Sequence, residues 1–153
     1  MKVLLVEDDP DKARRLEDWV VSTYSSCEVS TARSFTPALD FLIDSTPPFD
    51  LMLLDMSMPN YEGASYKYDG TAPETYAGRD LLAQMRLRGI RVPTIVVTMF
   101  DTFGEGAGRV SLEGLAKELK QDYPESFREL VYYSPAQDSW KISLRKIVDR
   151  IVK

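Results

Sequence analysis

The sequence predicts an α/β domain, a doubly wound parallel sheet with helices on both faces. Three observations carry this. Leu51-Met52-Leu53-Leu54 is a continuous apolar run that ends on a carboxylate, Asp55. Lys2-Val3-Leu4-Leu5-Val6 has the same character and ends on Glu7-Asp8-Asp9-Pro10. Apolar runs without polar alternation suit strands buried on both faces, as parallel sheets require. Between and beyond these runs stand segments with apolar residues at helical spacing, so the first third already reads β-α-β-α-β.

Each element has a local chemical cause. After the first strand, Pro10 sits where a helix opens, with Asp9 or Asp8 as its cap. Ala13, Leu16, Val20 and Tyr24 then recur at helical spacing among Arg14, Arg15, Glu17 and Asp18, and the helix is expected to end near Ser25-Ser26. Cys27 to Thr31 reads as a short strand. Thr36-Pro37 opens a second helix with Ala38, Phe41 and Leu42 inward, and Pro47-Pro48 closes it before the third strand. Positions of about 60–77 interrupt the rhythm with a polar, tyrosine-rich stretch that includes Tyr66, Lys67 and Tyr68. It is too long for an ordinary connection, and reads either as a surface insertion or as a lid or partner-contact loop.

Gly78 to Arg88 resumes as a helix with Leu81, Leu82 and Met85 inward and Gly89 as its stop. Pro93 to Thr98 is the fourth strand. The segment of about 99–128 is extended; its glycine-rich part, Asp101 to Gly108, lacks the Gly-Lys-Ser/Thr of a phosphate-cradling loop. Leu112, Leu115, Ala116 and Leu119 mark a helix, Pro124 breaks it, and Leu130 to Tyr133 is the fifth strand, ending at Ser134-Pro135. Asp138 caps a last helix with Trp140, Leu144, Ile147 and Ile151 on one face. The whole of 1–153 reads as a single domain, without internal repeat.

The chemistry lies where strands end in acid. A charged Asp55 at the end of a buried strand belongs at the carboxyl edge of the sheet, where ligands bind in open α/β folds. By itself Asp55 could equally be the cap of the next segment. The first strand tips the balance, because if the two strands are neighbours several carboxylates converge. Such a cluster repels itself unless a cation sits in it. Oxygen ligands without nearby His or Cys favour a hard ion, Mg²⁺ or Mn²⁺, which would neutralise charge and orient a phosphoryl group.

Composition bounds the alternatives. The formal net charge is −5, and no basic stripe is present; Lys141, Arg145, Lys146 and Arg150 on the last helix read as a solvated face. A nucleic-acid interface is therefore not expected. The chain contains no histidine, which removes His-based acid–base catalysis, His triads and His-ligated zinc. One cysteine, Cys27, forbids an intrachain disulfide, fits a reducing cytoplasm, and is expected to be a small buried residue. No apolar run approaches the ~18 residues of a membrane span, and the start is too short for a signal peptide, so neither membrane nor export is expected.

With these strands, helices and acids in this order, the chain resembles a receiver domain of the response regulators of two-component phosphorelay signal transduction. The resemblance covers nearly the whole chain. It rests on Val3 to Pro10, on Asp50 to Pro59, and on Val92 to Thr98. It implies a five-stranded parallel sheet of order 2-1-3-4-5, a flavodoxin-like and CheY-like three-layer sandwich. It implies that Asp55 is the phosphoacceptor, charged from a histidine kinase or phosphotransfer protein. Asp8 would bind Mg²⁺ (or Mn²⁺) directly, Glu7 through water, Asp55 with them, and the Ser57 carbonyl would complete the protein ligands. Thr98 would contact the phosphoryl group and act as the switch. The product is a phosphoprotein that signals to a downstream protein target, with a homodimer also open.

The departures are as specific. The family carries a Lys-Pro pair after the fifth strand; here the pair is Ser134-Pro135, without the lysine. Val131 stands where the family usually has an aromatic switch residue, and Tyr132 and Tyr133 would point differently. Lys67 or Arg109 would be candidates for a replacement cation. The expected function is a stand-alone receiver without an attached output domain. The alternative is a pseudo-receiver, an interaction module independent of phosphorylation. The chain is not expected to be an enzyme: aspartyl-phosphate hydrolases commonly place a second acid two residues after the nucleophile, and here that residue is Ser57.

Overall fold

A computed structural model describes residues 1–56, 77–99, 102–103 and 110–152. Five strands form one parallel sheet: β1 (Lys2–Val6), β2 (Glu28–Ala32), β3 (Leu51–Leu54), β4 (Thr94–Thr98) and, last in the chain, β7 (Phe127–Tyr132). The spatial order is β2-β1-β3-β4-β7, which is 2-1-3-4-5 when the strands of this sheet alone are counted. β1 pairs with β3 in the register Val6 opposite Leu54, so the next residues along, Glu7 and Asp55, leave the sheet side by side. β3 pairs with β4, and β4 with β7, both parallel. Two short strands, β5 (Thr102–Phe103) and β6 (Val110–Ser111), form a separate antiparallel pair in the extended segment of about 99–128.

Side-chain alternation divides the core between the two faces of the sheet. Leu4, Val6, Met52, Leu54 and Val96 face α2 (Phe35–Asp44), α3 (Ala77–Arg88) and α4 (Leu112–Asp122). Val3, Leu5, Leu51, Leu53, Ile95 and Val97 face α1 (Pro10–Thr23) and α5 (Ser139–Val152). All four residues of β3 and all five of β4 are buried, as central strands covered on both faces must be.

The helices begin and end where the chemistry places them. Asp9 caps α1, its side chain accepting from the amides of Asp11 and Lys12, with Pro10 in the first turn. The Ser111 hydroxyl caps α4 by accepting from the Gly114 amide. Gly89 takes φ +70° and ends α3. Three expectations are corrected. Phe41 lies at the surface, 38% exposed, and packs edge to face on Phe49 at 6.4 Å. Cys27 is only half-buried, against the core on the α1 face, and burial raises its thiol pKa. The last strand starts at Phe127 rather than Leu130, because an edge strand keeps one side in water and tolerates Arg128 and Glu129. No described helix is long and apolar enough to cross a membrane.

Candidate functional site

The strand ends at the carboxyl edge build the site. Asp55 donates its amide to the Val6 carbonyl at 3.0 Å, and Glu7 donates to the Ala32 carbonyl at 2.9 Å, so both backbones are held by neighbouring strands. Strand alternation continues one step past the ladders. Glu7 shares parity with Val3 and Leu5, and Asp55 with Leu51 and Leu53, so both turn toward the α1 face. Glu7, Asp8 and Asp55 each offer a carboxylate oxygen, and these atoms all lie within 4.8 Å of one another. Glu7 and Asp55 are almost fully buried, at 2% and 5% exposure, and Asp8 is half-buried.

Gly78 fixes the floor beneath Asp55. Its amide donates to the Met56 carbonyl at 3.2 Å. A Cβ on Gly78 would stand 2.7 Å from the Asp55 carbonyl oxygen, so only glycine lets α3 approach the strand end this closely. Thr98 closes β4 and is fully buried; the register of Leu54 with Val96 brings it to the same edge. The Tyr133 amide donates to the Thr98 carbonyl at 2.7 Å, which ties the end of β7 to the site.

One residue arrives from α1 that sequence reasoning missed. Lys12 is buried, 1% exposed. Its Nζ stands 2.5 Å from Glu7 Oε1, 3.5 Å from Asp55 Oδ1 and 2.7 Å from the Val97 carbonyl oxygen. It also lies 5.6 Å from the centroid of the Tyr133 ring. The signal is in the helical spacing: Lys12 stands four residues before Leu16 and eight before Val20, on the inward stripe. A lysine there is easily taken for part of the polar face occupied by Arg14 and Arg15.

Burial and neighbouring charge set the electrostatics. Burial pushes the Glu7 carboxyl up to about 8, with the negative Asp55 adding to the rise and Lys12 opposing it. Among the described residues, three carboxylates beside the Lys12 ammonium carry two net negative charges when all are ionised, which one divalent cation would balance. The donor set is all oxygen, as Mg²⁺ and Mn²⁺ prefer. Residues Glu7, Asp8 and Asp55 therefore fit a hard cation. Ser57, Tyr66, Lys67, Tyr68 and Arg109 lie outside the described residues. Ser134 is half-buried, and its hydroxyl accepts from the Ala136 amide at 3.3 Å.

No family model matches the chain. Individual relatives do. The Detocs response regulatory protein DtcB of Enterobacter cloacae (strain JD6301) is 32% identical over 151 residues, covering 99% of this chain and 100% of that protein. Among solved structures, the phosphorylated cyanobacterial phytochrome response regulator RcpA superposes with a TM-score of 0.67 at 18% identity, over 99% of this chain and 94% of that one. The response regulator TrrA of Thermotoga maritima, in complex with Mg²⁺ and BeF, gives 0.58 at 19% identity, over 95% and 97%. With the strand order, the acid edge and a relative of this identity across its whole length, the chain belongs to the response regulator receiver family, the CheY-like domains of two-component systems.

Proposed function

We propose that the chain is a receiver that accepts a phosphoryl group on Asp55 and passes the signal on through a protein–protein surface. The observation that carries this is the meeting of Asp55 with Glu7 and Asp8 within 4.8 Å at the carboxyl edge of the sheet. A buried, self-repelling acid cluster is costly unless a cation is to be held there. The proposed donor is a phosphohistidine, which must belong to a separate histidine kinase or phosphotransfer protein, since this chain has no histidine of its own. An Asp55 carboxylate oxygen forms the bond to phosphorus as the phosphorus–nitrogen bond breaks, and the electron pair leaves with the imidazole nitrogen. Mg²⁺ or Mn²⁺ on Glu7, Asp8, Asp55 and the Ser57 carbonyl would neutralise charge on the transferred group. Thr98, at the end of β4, is the proposed phosphoryl contact and switch.

The proposed output surface is formed by α4, β7 and α5, where Tyr132 is 48% exposed and Ile142 64% exposed. The setting proposed is cytoplasmic, with protein partners rather than nucleic acid or membrane. The protein is an acceptor and not a turnover enzyme. A second reading, a pseudo-receiver that binds partners without phosphorylation, is favoured by Ser134 in the lysine position and by Val131, buried at 3%, in the switch position.

One experiment separates the two. Two-dimensional NMR spectra are compared with Mg²⁺ alone and with Mg²⁺ plus beryllofluoride, for wild type and Asp55→Asn. Shifts that spread from Asp55 to Thr98 and the last two helices, and that vanish in Asp55→Asn while its fold persists, are the expected result. Binding of Mg²⁺ without a response to beryllofluoride would give the pseudo-receiver reading the advantage.

A further inference from the structure

The family's lysine is missing after the last strand, where Ser134 stands, yet the ammonium of Lys12 lies 3.5 Å from Asp55. We infer that Lys12, delivered from α1, contacts the phosphoryl group on Asp55 and takes the place of the lysine that the family carries at the position of Ser134. This rests on Asp55 being the acceptor.

The geometry locates the Lys12 ammonium between three strand ends. It touches Glu7 after β1, Asp55 after β3, and the Val97 carbonyl, one residue before the end of β4. The Tyr133 ring, immediately before Ser134, lies beside it at 5.6 Å. An ammonium from α1 thus borders both Asp55 and the residue that precedes Ser134. The surrounding chain holds it there. Asp9 caps the first turn of α1 through the amides of Asp11 and Lys12. Arg15, one turn further on, donates to the Pro135 carbonyl at 3.1 Å and fastens α1 to the segment after β7.

A purely structural role accounts for less of this. Buried ion pairs contribute little to stability relative to apolar residues of similar shape, because both charges must be desolvated. Lys12 stands on the stripe of Leu16, Trp19 and Val20, where an apolar residue would pack without that penalty. A lysine ammonium has three N–H donors and no acceptor. The Val97 carbonyl accepts one, and Glu7 and Asp55 stand within ion-pair distance, so N–H donors remain to serve an oxygen of the group attached to Asp55. When a divalent cation draws on Glu7, the ammonium is freed further for the Asp55 side. In this low-dielectric pocket a preorganised positive charge beside the transferred group stabilises the charge that develops on its oxygens.

The test is a double-mutant cycle on the full chain, with acetyl phosphate as donor, Mg²⁺ present, and phosphorylation followed by intact mass. Lys12→Met is expected to lower the rate about 100-fold, the scale of losing one preorganised charge or donor. Its Mg²⁺ affinity, read by calorimetry, is expected to rise because a competing cation is gone. Loss of the fold would lower both, so opposite movement identifies the direct contact. Ser134→Lys in Lys12→Met is expected to restore at least tenfold, and Lys12→Arg to keep part of the rate. Ser134→Lys alone, which leaves the buried lysine in place, is expected to change the rate less than twofold. Wild-type rates in Lys12→Met, or a tenfold gain from Ser134→Lys alone, would overturn the inference while leaving Asp55 as acceptor. A wild-type protein that takes up no phosphoryl group would overturn both.

Discussion

Glu7 is buried between charges of opposite sign, with Lys12 Nζ at 2.5 Å and the Asp55 carboxylate on its other side. Its carboxyl is pushed from 4.5 to about 8, chiefly by burial. Linkage gives the sign for stability. Between these values the folded chain holds a proton that the unfolded chain releases, so this group makes the metal-free protein less stable as pH rises from about 4.5 through about 8. Thermal melts in a chelator, from pH 5 to pH 8.5, are expected to show that decline in wild type and to show it flattened in Glu7→Gln. Parallel curves would mean that Glu7 ionises in the folded state as it does in water. At this scale the acids are legible because each comes directly after an apolar run, and a carboxylate in that position must find solvent or a cation. Lys12 is not legible in the same way. Its role depends on three strand ends meeting above α1, and residue type alone marks it as solvated.

The elements are legible where one period dominates. β3 and β4 are covered on both faces and read as unbroken apolar runs. The edge strand β7 mixes Arg128 and Glu129 with Phe127 and Val131, so its polar first half reads as loop and hides the true start. The pairing of Thr102–Phe103 with Val110–Ser111 gives no periodic signal, since two residues cannot show one. The junction of α3 with β3 yields a test at this scale. Gly78, in the first turn of α3, packs against backbone: an added Cβ would lie 2.7 Å from the Asp55 carbonyl oxygen and 2.8 Å from Met56 Cα. Gly→Ala within a helix ordinarily stabilises by about 1 kcal/mol. Here Gly78→Ala is expected to destabilise by about 1–3 kcal/mol, the range for overpacking against atoms that cannot turn away. It should also weaken beryllofluoride binding by moving Asp55. Urea unfolding measures the first effect; a stabilised variant would show that the strand end yields freely.

For the molecule as a whole, the sheet order is legible only through the family resemblance, because strand pairing is long-range and no local pattern records it. Once that order is given, the acid edge is a consequence, since β1 beside β3 places Glu7, Asp8 and Asp55 together. Cation binding at this edge would thereby be coupled to global stability. An ion that binds the folded edge and not the unfolded chain stabilises by mass action, about 2.7 kcal/mol at a free concentration 100 times its Kd. For a chain of this size that corresponds to roughly 5–10 °C in Tm. Asp8→Asn separates the two halves of the coupling. In a chelator it is expected to melt at or above wild type, because one like charge leaves the cluster. With millimolar Mg²⁺ it is expected to lose most of the metal-dependent rise, because a proposed direct ligand has gone. Melting curves at several Mg²⁺ concentrations measure both. An Asp8→Asn protein whose Tm climbs with Mg²⁺ as steeply as wild type would place the ion elsewhere and leave the acid edge without the cation that the proposed phosphoryl acceptance at Asp55 calls for.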